Sequence, residues 1–182
     1  MFDQFKAKAE AVSAVVYRFA TKDEALGCIV QVLKEEKVDD VPGRFAVWAA
    51  CPFLEAVDKQ QLAGIAGLNL EVSRQLAASA HIGISQVDWA LADTGTLVQD
   101  ATAIDKRLVS TLPFIHIALL PAKNLYPDMP SLLAAIDPQA IGYLAMITGP
   151  SRTADIERVL TIGVHGPERL IIIVVDELGG TN

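Results

Sequence analysis

Residues 141–175 read IGYLAMITGPSRTADIERVLTIGVHGPERLIIIVV, and the spacing of apolar blocks and glycine-bounded breaks in this stretch decides the fold class. Ile141–Thr148 is a strand-length apolar block, Gly149-Pro150-Ser151 a turn, and Ala154–Ile162 reads as a short helix. Gly163 to Pro167 is a loop, and Leu170–Val175 is a second block with no polar residue to offer solvent. A strand apolar on both faces belongs inside a parallel sheet that is covered on both sides. Strand, helix and strand in this order predict a βαβ unit with parallel strands and a right-handed crossover.

Working upstream, Phe114–Leu120 alternates around His116 and predicts another strand. Pro121 to Pro138 is a proline-studded connection with one short helix opening near Pro130 and Ser131. From Ile82, IGISQVDWALADTGTLVQD suits strands joined by a tight turn at Asp93-Thr94-Gly95. Phe45–Ala50 predicts a buried strand after the Val41-Pro42-Gly43 stop, and Leu54, Val57, Leu62 and Ile65 a helix. Residues 68–80 read as a short strand and a short helix. At the N-terminus, Phe2, Phe5, Ala9, Val12, Val16 and Phe19 recur at helical spacing. Thr21 and Glu24 form a capping box that starts a second helix, with Leu26, Ile29, Val30 and Leu33 as its stripe. The expectation is one α/β domain with a largely parallel sheet flanked by helices. Residues 1–40 form an N-terminal helical segment and residues 41–182 the α/β domain.

Composition narrows the function. Of 182 residues 52 % are hydrophobic, which excludes disorder and suits a sheet buried between helical layers. Fifteen Lys and Arg against 22 Asp and Glu give a net charge of −7, with no basic cluster to displace counterions. Nucleic acid and anionic membrane surfaces are therefore not expected partners. The longest apolar runs fall far short of the roughly 20 residues that span a bilayer. Asp3 and Glu10 sit where a signal peptide carries no acid, and Cys28 and Cys51 share no CxxC, which points to a reduced cytoplasmic protein.

The sharpest chemical feature is the Gly149–Asp155 turn. If a helix starts there, its free N–H groups and dipole favour an anion, and Arg152 adds a clamp with Ser151 and Thr153 beside it. The same residues also suit plain capping, with Asp155 complementing the dipole. Arg107 is a second anion contact or a solvated surface charge. Asp93, Thr94 and Thr96 line a pocket mouth or simply serve their turn. His165, between Gly163 and Gly166, is a candidate acid/base in an exposed loop, whereas His116 reads as a satisfied, semi-buried strand residue. Three scattered histidines without HxxxH spacing predict no metal site. GxGxxG, GxxxxGK[ST] and GxSxG are all missing, so dinucleotide, P-loop and serine-hydrolase chemistry have no support.

ITGPSRTADIERVLTIGVHGPERLIIIVV, with ALADTGTLV and RLVSTLPFIHIALLP upstream in that order, closely resembles the LUD-domain family, and within it the lactate-utilisation protein C group. The resemblance implies a fold similar to the ribose-phosphate isomerase, glucosamine-phosphate deaminase and CoA-transferase group. It also implies a part in bacterial oxidation of L-lactate to pyruvate beside two iron–sulfur partner proteins. One of these carries a LUD domain with a ferredoxin-like segment and the other is cysteine-rich. Two cysteines do not make an ordinary cluster, so the clusters are expected on the partners and none in this chain. The family supplies no catalytic assignment, so Ser151, Arg152, Thr153, Asp155 and His165 are motif residues. A small carboxylate is the expected ligand, with Arg152 at its carboxylate and Asp93 or His165 near its hydroxyl. An independent enzyme or binding module for a phosphorylated or CoA-linked metabolite is the alternative, and a homo-oligomer stays open.

Overall fold

A computed structural model describes residues 1–154, 160–162 and 166–178. In chain order the elements begin with α1 (Phe2–Ala11), β1 (Val15–Phe19), α2 (Lys22–Glu35), β2 (Phe45–Trp48), α3 (Pro52–Ala56), β3 (Leu68–Asn69), α4 (Arg74–Ser79) and β4 (Ala80–Gln86). Next come β5 (Trp89–Leu91), β6 (Thr96–Asp100), α5 (Ile104–Thr111), β7 (Ile115–Pro121), β8 (Leu125–Tyr126) and α6 (Met129–Ala135). Last are β9 (Leu144–Ile147), β10 (Arg152–Ala154), β11 (Leu160–Ile162) and β12 (Arg169–Val175).

Six strands form one parallel sheet in the order β1-β12-β7-β4-β2-β3. One face carries Trp48, Ile82, Ile84, Ile117 and Ile173, covered by Leu26, Ile29 and Leu33 of α2 and Phe53 of α3. The other carries Val16, Ala118, Leu120, Ile172 and Val174, packed on Phe5 and Ala9 of α1 and Leu97 of β6. With both faces covered, β7 is buried along its whole length, and β12 everywhere except its exposed first residue, Arg169. The chain is thus one α/β domain. A second, mixed sheet in the order β8-β5-β6-β9 packs over the α1 face, and β10 and β11 pair as an antiparallel hairpin.

Three expectations are corrected. The helix does not run through Phe19: Ser13 turns at φ 72°, and Val15–Phe19 is a strand paired with Ile171–Val175. β-Branched and aromatic side chains at Val15, Val16, Tyr17 and Phe19 fit a pleated edge better than a helix. The segment 1–40, expected to be helical, therefore contributes an edge strand to the main sheet. The helix expected over residues 54–65 stops at Ala56, because Val57 is extended and the Asp58 side chain caps a single 3-10 turn at Lys59–Gln61. Finally, Ala154 and Leu160–Ile162 are strand, not helix, and β9 and β12 lie in different sheets. There is no βαβ unit here. Thr153, Thr161 and Ile162 lose χ1 freedom in a helix, which favours the hairpin.

Other expected elements are present. Thr21 Oγ1 accepts from Glu24 N at 3.2 Å and Glu24 Oε2 from Thr21 N at 3.1 Å, completing the capping box of α2. The Asp93–Gly95 turn joins β5 to β6 with Gly95 at φ 71°, and a Cβ there would stand 2.3 Å from Ala9 N. α6 is capped by Asp128, whose carboxylate accepts from Ser131 N at 2.8 Å. The chain steps from β2 out to β3, then back across to β4, β7 and β12. Strand order thus reverses between β2 and β4, the kind of place where open α/β sheets hold ligands.

Candidate functional site

α5 lies close on the main sheet because Gly83 of β4 has no side chain. A Cβ there would fall 2.0 Å from the Val109 carbonyl oxygen. This close seat turns Arg107, Ser110 and Thr111 toward β9, and a cleft of about 430 Å3 opens between them and Tyr143–Ile147. The Arg107 guanidinium stands 5.0 Å from the Tyr143 ring centre, a cation–π distance. Arg107 forms no ion pair with any described residue. Ser110 and Thr111 hydroxyls both donate to the Arg107 carbonyl oxygen, at 3.2 and 2.6 Å, and so tighten the last turn of α5. The cleft thus offers one cation with no partner among the described residues, an aromatic face and an apolar wall, which suits a small anion with a short carbon body.

Behind the cleft wall runs a fully buried polar chain. Gln99 pairs with Ala145 of β9, and its Nε2 donates to Ser85 Oγ at 3.0 Å. The Ser85 hydroxyl reaches His116 Nε2 at 2.9 Å. Ser85 Oγ thus accepts from Gln99 and shares one further hydrogen with His116 Nε2, in the direction that the ring's tautomer sets. Burial alone pushes the His116 pKa down to about 4, so the imidazole is neutral at pH 7. Neither His116 Nδ1 nor Gln99 Oε1 has a hydrogen-bond partner among the described residues. Serine and histidine are placed like a nucleophile and base, but both are wholly buried and no acid among the described residues orients the ring. Their work here is to tie β4, β7 and β6, and hence the two sheets, in one register.

At the carboxyl end of β4, beside the strand-order reversal, Asp88 accepts from Asp100 N at 2.7 Å and from Lys106 Nζ at 3.5 Å. Burial raises the Asp88 pKa against the pull of the Lys106 charge. Asn124 Nδ2 donates to the Asp88 carbonyl oxygen at 2.7 Å, joining the end of β7 to the same corner. Cys51 is buried nearby, and burial pushes its thiol pKa up. The Trp48 indole lies against that thiol, though its Nε1 forms no hydrogen bond of ordinary geometry.

The residues singled out from the sequence fall into separate places. Arg107 stands on the cleft. Ser151 N donates to the Pro167 carbonyl oxygen at 2.8 Å. A Cβ on Gly166 would lie 3.3 Å from Ser151 Oγ and 3.9 Å from the Thr111 carbonyl oxygen, so Ser151 flanks the end of α5. Arg152 is exposed and donates from Nη2 to Ser13 Oγ at 2.8 Å. Because β10 starts at Arg152, the Gly149–Ser151 turn leads into a strand rather than a helix, so no helix dipole acts on an anion at Ser151 or Arg152. Thr153 lies in β10, while Asp155 and His165 lie outside the described residues. Asp93 and Thr94 are exposed in their turn, and Thr96 Oγ1 pairs with Thr148 Oγ1 at 2.8 Å. His116 is fully rather than partly buried.

Ser85, Gln99, Asp88 and Lys106 were not foreseen. The signal for the first two was present: a single polar side chain on the inward face of an apolar strand needs a partner. No three His, Cys, Asp or Glu side chains converge among the described residues, and no described helix is long and apolar enough to cross a membrane.

A family model for the LUD domain matches residues 2–175, and so takes in α1 and β1. Lactate utilization protein C of an Exiguobacterium species is 41 % identical over 117 residues, covering 59 % of this chain and 50 % of that protein. The protein of the same name from Halalkalibacterium halodurans is 40 % identical over 107 residues, covering 56 % and 46 %. The chain therefore spans about half the length of the curated relatives it matches. A crystal structure of a DUF162 family protein from Deinococcus radiodurans shares the fold with a TM-score of 0.65 at 19 % identity, covering 96 % of this chain and 95 % of that one.

Proposed function

The chain belongs to the LUD-domain family, and we propose on that premise that it serves lactate utilisation by holding a small 2-hydroxy or 2-oxo acid in the cleft between α5 and β9. The observation that carries this reading is Arg107, whose guanidinium has no ion-pair partner among the described residues and lies over the Tyr143 ring at the wall of that cleft. It takes the carboxylate in a two-pronged hydrogen bond, and Ala145 and Ile147 receive the carbon body. Ser151, a motif residue among those described, flanks the end of α5 beside this pocket. The name borne by the relatives supports the choice of lactate or pyruvate over other small acids.

Oxidising a 2-hydroxy acid removes two electrons, and Cys28 and Cys51 are too few for an ordinary cluster. The redox step therefore belongs to iron–sulfur partner proteins, and this chain binds and orients the acid or steadies the assembly, in a reducing cytoplasm that keeps both thiols free.

A thermal-shift panel of L-lactate, D-lactate, pyruvate, phosphate and CoA tests the reading. A ligand at a hundred times its dissociation constant adds about 2.7 kcal/mol of stability, a shift of about 5–10 °C in a domain this size. The expected result is a shift with lactate or pyruvate that Arg107→Ala abolishes and Arg152→Ala keeps. No shift with either acid, or one that survives Arg107→Ala, contradicts it.

A further inference from the structure

We infer that the protein has a second anion site, at the carboxyl ends of β1, β12 and β7, that takes an organic monoanion with an apolar body. A cleft of about 360 Å3 opens there, lined by Phe2, Arg18, Leu120, Lys123, Leu125 and Val174. Leu120 and Val174, themselves buried, come from the ends of two central parallel strands, so the floor is built on the sheet, and half-buried Phe2 and Leu125 (from β8) give it apolar surface. Carboxyl ends of parallel strands are where α/β sheets bind ligands.

Two cations border this floor. Arg18 is held in place: its Nε donates to Asp176 Oδ1 at 2.8 Å, and its guanidinium carbon lies 4.8 Å from the Phe2 ring centre. Both Nη groups are free of hydrogen bonds to described residues, and Lys123 forms no ion pair with any of them. Two cationic side chains thus share one cleft in a chain whose net charge is −7. They repel each other unless an anion lies between.

The lining and the charges set the ligand class. The Phe2 ring and the Leu125 side chain, both partly exposed, favour an aromatic or branched body. Asp176, already opposite Arg18, disfavours a polyanion and leaves room for a single carboxylate or sulfonate. This inference is independent of the lactate reading, because it shares no residue with the Arg107 cleft.

The test uses 8-anilinonaphthalene-1-sulfonate, a monoanion on an aromatic body, and its uncharged relative N-phenyl-1-naphthylamine, followed by fluorescence titration. Exposed ion pairs contribute up to about 1 kcal/mol each, so the single variants Arg18→Gln and Lys123→Gln should weaken the sulfonate about three- to fivefold. The double variant should weaken it about tenfold. The uncharged probe should change less than about twofold, as should the sulfonate with Arg107→Gln. Lys123 is an exposed side chain, so its single variant keeps the test valid if the double variant folds poorly. Sulfonate binding that is absent, equal in parent and double variant, or lost only in Arg107→Gln overturns the inference.

Discussion

Lowering the pH from 7 to 4 is expected to remove about 3 kcal/mol of folding stability through His116 alone. The ring is fully buried, and its pKa is about 4 in the folded chain against 6.5 when exposed. Between those values the unfolded chain binds a proton that the folded chain excludes, so stability falls as the pH drops. A separation of about 2.5 units at about 1.4 kcal/mol per unit is about 3.5 kcal/mol in full, of which about 3 is lost by pH 4, where the folded ring is half protonated. The contribution is complete above pH 6.5 and is gone as the pH falls through 4. Glu36, whose pKa is lowered by His81 and Arg169, and Asp100, lowered by Thr102, add acid sensitivity of their own. The clean observable is therefore the difference between the parent and His116→Gln, a variant that keeps a hydrogen-bonding side chain and loses the titration. Urea midpoints at pH 7, 5.5 and 4 should show the two stabilities converging as the pH falls. Parallel curves contradict a buried neutral imidazole.

Lys106→Met should cost about 2–3 kcal/mol at pH 7. Asp88 has 8 % of its side chain exposed, and Lys106 is the only cation within ion-pair distance among the described residues. Removing one partner of a fully buried pair costs about 3–5 kcal/mol, because the other charge stays behind unsolvated. The lysine keeps 21 % of its side chain exposed, which places the value lower. Burial already raises the Asp88 pKa, and without Lys106 it rises further. The loss should therefore grow as the pH rises and Asp88 ionises, and shrink as the pH falls. Asp88→Asn in the Lys106→Met background should recover most of it, since the amide still accepts from Asp100 N. A change under about 0.5 kcal/mol in Lys106→Met shows that the pair contributes nothing.

Legibility followed locality. Thr21 and Glu24 announce α2 because a cap is a contact between residues three apart. Leu170–Val175 announces a buried strand because an unbroken apolar run has nowhere else to go. Phe2 to Phe19 misled because the spacing on the two sides of Ser13 happened to continue one helical phase. Only pairing with β12, more than 150 residues away, makes Val15–Phe19 a strand. Likewise β9 looked like the first strand of a βαβ unit, yet its partner is β6, about 47 residues upstream, where Gln99 meets Ala145 and Leu97 meets Ile147.

The site divides the same way. Arg107 was visible as a charge beside a legible strand. The Ser85–His116–Gln99 chain draws on three strands in two sheets, and no local pattern joins them. The Ser151–Arg152 turn kept its distinctive residues but lost the helix that gave them an electrostatic role.

The most direct test of the central claim is a proton–nitrogen NMR titration of the 15N-labelled chain with pyruvate and L-lactate. If the cleft between α5 and β9 holds the acid, shift changes will concentrate at the Arg107 side-chain Nε–H and the amides of Ser110, Thr111 and Tyr143–Ile147. Changes centred on Arg18 and Lys123, or no saturable changes at all, would contradict it.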